Sequence, residues 1–176
     1  ETGEVLNSYE APDDNVDGLA WHNGDLYAVV NGWHPGDAFR EPGGLPPRIF
    51  KMASSTGGVL GEFEIQSPWG GTINASIASL ASDGTYLYAG EEGQPCWFIL
   101  DPASPGSPAQ QTCGNGEFMW PYYVGSLEII AAEGIPTTLL SSGQGDGGQV
   151  LTRHDLNGQT EEQFFMARDI KGMAYI

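Results

Sequence analysis

Apolar positions in this chain come in short alternating runs separated by Gly, Asn, Asp and Pro, and no segment sustains a 3.6-residue apolar period over three turns. That pattern predicts strands and no helix. A first unit reads as four strands, A at 16–22 (VDGLAWH), B at 25–31, C at 48–53 (RIFKMA) and D at 58–65 (GVLGEFEI). The connections Asn23-Gly24 and Ser55-Thr-Gly-Gly carry the residues that tight hairpins require. A second unit follows at 77–82, 86–89, 96–100 and 109–113, and a looser third at 124–131, 138–141, 150–154 and 160–166. Residues 2–12 read as a turn and one strand, and 170–176 as a lone strand A.

The units share a phrase. Val16-Asp-Gly-Leu-Ala returns as Ile77-Ala-Ser-Leu-Ala, Val124-Gly-Ser-Leu-Glu and Ile170-Lys-Gly-Met-Ala, after 61, 47 and 46 residues. Four antiparallel strands per unit at that spacing describe the blade of a β-propeller. The small residue at the third place of the phrase (Gly18, Ser79, Ser126, Gly172) suits an innermost strand, where a bulky side chain would collide with its neighbours. The expected fold is all-β: one propeller domain with blades at about 14–66, 77–113 and 124–167, and a split or incomplete fourth from 2–12 and 170–176.

In GLAWHNGDLYAVV, SLASDGTYLYAG and the STGGVL turn the chain resembles extracellular bacterial propellers of the NHL and YVTN-repeat kind. The resemblance implies the fold and leaves activity open, since that family hosts lactonases, lyases and pure binding modules. The odd blade count implies either a segment of a longer chain or open edges completed by another subunit, because an unpaired edge is a template for pairing.

Charge narrows the partners. With 23 Asp and Glu against 6 Lys and Arg, the formal charge is −17, which repels phosphate backbones and excludes nucleic acid as an expected partner. Other copies of the chain, another extracellular protein or a glycan remain, and no apolar run reaches the ~20 residues of a membrane span. From Glu1 the chain reads as a mature or trimmed product is expected to, its signal peptide already removed. Cys96 opens strand C and Cys113 ends strand D of one hairpin, so they are expected as neighbours. A bridge there closes a loop of roughly 18 residues, contributes about 3 kcal/mol in the chain-entropy picture, and implies a secreted protein.

Alternation places the B–C loops and D-to-A linkers at one end of the sheets and the short turns at the other. Long loops with aromatics are where binding is expected, which nominates Trp33, His34, Phe39, Trp69, Trp120, Tyr122 and Tyr123 as a platform for sugar rings or a partner's apolar patch. Asp13-Asp-Asn-Val-Asp-Gly satisfies the front half of a calcium loop, with Asp13, Asn15 and Asp17 as ligands. Gly24 stands where that loop requires Glu, so only a looser calcium site is expected, and no other cofactor. His22, His34 and His154 fall in different places and do not assemble, and Gly145-Asp-Gly-Gly reads as a flexible loop. The leading expectation is a secreted, non-catalytic binding or scaffold propeller, possibly part of an extracellular self-assembly. The alternatives are a calcium-dependent hydrolase or lactonase using Asp13, Asn15, Asp17 and Glu91, and a glycan-binding module.

Overall fold

Asn23 and Gly24 take φ of 49° and 93°, the left-handed pair that a tight hairpin turn needs. That turn joins β1 (Val16–His22) to β2 (Asp25–Gly32), and β3 (Leu45–Ala53) and β4 (Val59–Glu64) complete a four-stranded antiparallel sheet in sequence order. The pattern recurs in β5 (Ile77–Ser82), β6 (Leu87–Glu91), β7 (Cys96–Leu100) and β8 (Gln110–Cys113). A third sheet contains β9 (Ser126–Ile130), β10 (Thr138–Gly145), β11 (Gly148–His154) and β12 (Thr160–Met166). The structure, a computed structural model, describes residues 8–13, 15–32, 45–92, 94, 96–113, 126–130, 137–145 and 148–166. Among the described residues every regular element is a strand, as the alternation predicts, and the arrangement is propeller-like.

The three sheets stand in a row with first strands adjacent, β1 on β5 and β5 on β9. The small residue of the repeated phrase has the expected use. A Cβ on Gly18 would lie 2.6 Å from Leu80 N and 2.8 Å from Ser79 C, so the backbones of β1 and β5 approach too closely for any side chain. In both β1 and β5 the ladder carries a bulge just before this position, between Val16 and Gly18 and between Ile77 and Ser79.

Two apolar seams follow. In the first, Ala20, Tyr27, Val29 and Ile49 of sheet one meet Leu80, Leu87, Phe98 and Leu100 of sheet two. In the second, Ala81, Tyr88 and Trp97 of sheet two meet Leu127, Ile129 and Leu139 of sheet three. Sheet two is therefore covered on both faces, and β6 is buried from Leu87 to Gly90. At the first seam the Asn31 side chain replaces a missing ladder bond: its Nδ2 donates to Ile77 O at 2.6 Å and its Oδ1 accepts from Ile77 N at 2.8 Å. Both amide hydrogens are used, since Nδ2 also donates to Asp17 Oδ2.

Cys96 and Cys113 are register partners on β7 and β8 and form a disulfide with Cα atoms 4.0 Å apart, as the hairpin reading required. The stretch 141–149 departs from expectation. Residues 141–145 and 148–149 are ladder, with pairing continuing through Gln144–Gln149 to Gly145–Gly148, because register is imposed by the partner strand even where Ser, Gly and Gln carry no strand signal of their own. Asp146 lies outside the described residues. Residues 8–11 form no strand and act as a strap across the outer face of sheet one. The Tyr9 hydroxyl donates to Ser54 O at one end of β3, and Asp13 pairs with Arg48 at 3.1 Å at the other.

Candidate functional site

A groove of about 460 Å³ opens at the first seam, at the tight-turn end of the sheets, within the size range of small-ligand sites. One wall comes from sheet one, with His22, Asn23, Asp25, Tyr27 and Lys51; the other comes from sheet two, with Gly84, Thr85, Asp101, Pro102 and Ala103. Strand alternation places Tyr27 and Lys51 there, because they are cross-strand partners on the face turned toward sheet two. Lys51 Nζ lies 2.9 Å from Asp25 Oδ2 and 5.9 Å from the Tyr27 ring centre. The hydrogen bond to Asp25 raises the Lys51 pKa and fixes it as a cation.

His22 forms the groove's inner edge. Its Nδ1 meets Ser82 Oγ at 2.8 Å across the seam, and Asn23 Nδ2 donates both to His22 Nε2 at 3.1 Å and to Gly84 O at 2.9 Å. Nε2 is therefore the acceptor, and Nδ1–H donates to Ser82. Burial lowers the His22 pKa, against the opposing pull of Asp83, so the ring is neutral at neutral pH. The groove thus combines a fixed cation, the carboxylates Asp25 and Asp101, and a neutral imidazole. It can hold a ligand that carries both an ammonium and a carbonyl or carboxylate.

The same pairing of Ser with His recurs at the second seam with a different outcome. Ser141 Oγ and His154 Nε2 are 2.9 Å apart, and the His154 ring lies 5.3 Å from Trp97, sealed from solvent. Burial pushes the His154 pKa down to about 4. Tyr88, held by Asp83 at 2.8 Å, has its pKa raised by burial first and by that hydrogen bond second.

The residues nominated from the sequence are distributed elsewhere. Trp33, His34, Phe39, Trp120, Tyr122 and Tyr123 lie outside the described residues, and Trp69 sits 78% exposed at a turn closed by Ser67 N donating to Gly71 O. Asp13 faces Arg48, Asn15 donates to Asn31 O, and Asp17 accepts from Asn31. Among the described residues no three His, Cys, Asp or Glu side chains converge as a metal site. His22 and His154 occupy different seams, as their sequence positions implied. The groove itself was not foreseen. Its sequence trace is that Asp25 and Lys51 are charged residues within largely apolar strands.

No protein-family model and no curated protein sequence matches the chain. In fold it is similar to the crystal structure of glutaminyl cyclase from Myxococcus xanthus, with a TM-score of 0.51 and 18% sequence identity. The match covers 84% of this chain and 49% of that one, so this chain spans about half that protein's length. The likeness shows fold alone, and no repeat family is confirmed by it. It does correct one expectation: a non-catalytic role had been read from the missing catalytic motifs, yet the similar fold belongs to an enzyme.

Proposed function

We infer that the chain is part of a propeller-like protein that takes a small ligand of the amino-acid or peptide-terminus class in the first-seam groove. The observation that carries this reading is the groove's charge arrangement. Asp101 and Asp25 suit an ammonium, while Lys51 suits a carbonyl or carboxylate oxygen. The neutral His22 beside them suits proton acceptance from such a ligand, provided the Asn23 amide swings off Nε2. The fold likeness supports the same class, since the similar protein is by name a glutaminyl cyclase. The disulfide supports residence in an oxidising compartment, outside the cell or in its envelope.

Calorimetric titration with a glutaminyl peptide, and with the same peptide acetylated at its amino end, tests this. The free-amine peptide binds, acetylation weakens it, and Asp101→Asn and Lys51→Ala each cost about tenfold or more. Turnover of the peptide, followed by mass spectrometry, separates an enzyme from a receptor. Binding indifferent to acetylation and to both substitutions removes the reading.

A further inference from the structure

Leu19, Leu80 and Leu127 stand at the same rung of β1, β5 and β9, each directly after the small residue of the repeated phrase. Leu80 and Leu127 are 4% and 3% exposed, because the preceding sheet lies on each of them. Leu19 is 56% exposed, and Trp21, two residues further along the same face, is 61% exposed. The strap at 8–13 is tied to this sheet at Arg48 of β3 and at Ser54 just past it, while Leu19 and Trp21 on β1 stay exposed. An exposed Trp and Leu side by side on a sheet face are rare unless something packs there. At the opposite end of the row, the far face of sheet three presents Leu140 and Leu151 half-buried and Phe164 exposed. These share a face by register, since Leu151 pairs with both Ser142 and Phe164.

We propose that a second copy of this chain seats the far face of its third sheet on the exposed edge of β1, head to tail. The occupant's chemistry follows from the repeat. At both seams this leucine is covered by the sheet before it in the row, and the chain carries a sheet of the same frame whose far face leaves Phe164 exposed. Two copies also supply about the length of the Myxococcus xanthus protein, of which one chain covers 49%. Two such contacts related by a two-fold axis join the copies into a single row closed on itself. Each copy carries a charge of −17, so apolar attraction between Leu19 and Trp21 on one copy and Phe164 on the other, beside the Arg153–Glu162 ion pair, works against repulsion that salt screens, and the contact tightens as salt rises.

Sedimentation velocity from low to high micromolar concentration tests the pairing, with far-UV circular dichroism as the folding control. The intact chain forms a dimer that added salt tightens. Trp21→Glu and Phe164→Glu each raise its dissociation constant at least about 30-fold, and Leu19→Arg probes the β1 edge independently of Trp21. An equimolar mixture of Trp21→Glu with Phe164→Glu regains association, because one of its two contacts joins unaltered faces. A folded chain that stays monomeric at high micromolar concentration overturns the proposal and leaves the edge to another polypeptide or to further sheets of a longer one. A dimer that ignores the substitutions on both faces overturns it as well.

Discussion

The two seams of this protein are built from equivalent positions and end up chemically opposite. Tyr88 pairs across its hairpin with Ile99, and Tyr27 pairs with Lys51 at the same place one sheet earlier. Gly90 pairs with Trp97 where Val29 pairs with Ile49. At the second seam the glycine and the indole fill the space together: a Cβ on Gly90 would come within 2.9 Å of the Leu127 side chain, and Trp97 is fully buried. At the first seam two mid-sized aliphatic residues fill the middle, and the turn end, where Ile99 would have sealed it, carries a lysine paired with Asp25. The groove is therefore a property of particular residues and not of the fold. A frame that can close this space with an isoleucine has left it open and charged.

The largest effect expected from breaking the contrast is at Trp97. Truncation to Ala empties the middle of the sealed seam and costs about 4 kcal/mol, while Ile49→Ala at the matching place costs nearer 3, because the smaller side chain leaves the smaller cavity. Urea unfolding of both variants reads the difference. Equal costs would mean that the two seams are packed to the same depth.

Next is the acid limb of stability. His154 is buried against Trp97 with its pKa pushed down to about 4 from an ordinary 6.5, so the unfolded chain takes up a proton that the folded protein refuses. Its contribution is complete above pH 6.5 and is lost as pH falls toward 4, roughly 3 kcal/mol in all. Urea midpoints measured between those limits in the intact chain and in His154→Gln check it, the variant showing the shallower fall. His22 has the same sign at the first seam, since burial also lowers its pKa. An unchanged slope in His154→Gln would place the proton uptake elsewhere.

Much of this frame is legible from residues alone, and the reason is local. The phrase around Gly18 recurs around Ser79, 61 residues on, because A strands must approach at the backbone. Asn23-Gly24 demands a positive-φ turn, and Cys96 and Cys113 flank one hairpin. The groove was hidden for an equally physical reason. Lys51 and Ile99 are 48 residues apart, not 61, because the connection between the second and third strands is much shorter in sheet two. Only register reveals that they are equivalent. Asn31 was hidden similarly: Asn-Gly after a strand reads as the start of a loop, whereas its amide acts as a rung between two sheets. Strand reading also fell short at 142–145 and 148–149, where pairing between β10 and β11 overrides a sequence with no strand preference.

A pairwise loss across the seam is expected to be smaller than either of the first two effects. Ser82→Ala removes the acceptor for His22 Nδ1 and for Gly84 N at once, and costs about 1 kcal/mol, most of it from the partly buried His22 bond because the Gly84 bond is exposed. Its thermal midpoint falls, and the double variant with His22→Phe falls less than the sum of the two, since the pair is lost only once.

The smallest change in stability belongs to the substitution that most directly exchanges the two seams, Lys51→Ile. The ion pair it removes is open to solvent, with side chains 40% and 29% exposed, so its loss costs between 0 and about 1 kcal/mol. The isoleucine recovers part of that by lying on Tyr27 as Ile99 lies beside Tyr88. Unfolding is then nearly unchanged while the groove loses its cation, leaving Asp25 and Asp101 as an all-anionic wall beside His22. The His22 pKa therefore rises, because Lys51 is one of the charges that hold it down and Asp25 is freed to pull it up. Histidine titration by NMR detects that rise in a protein of normal stability, and peptide binding measured on the same sample falls with it. If binding survives in a variant whose His22 titration has moved, the cation at position 51 is structural, and the groove's selectivity rests on the carboxylates alone.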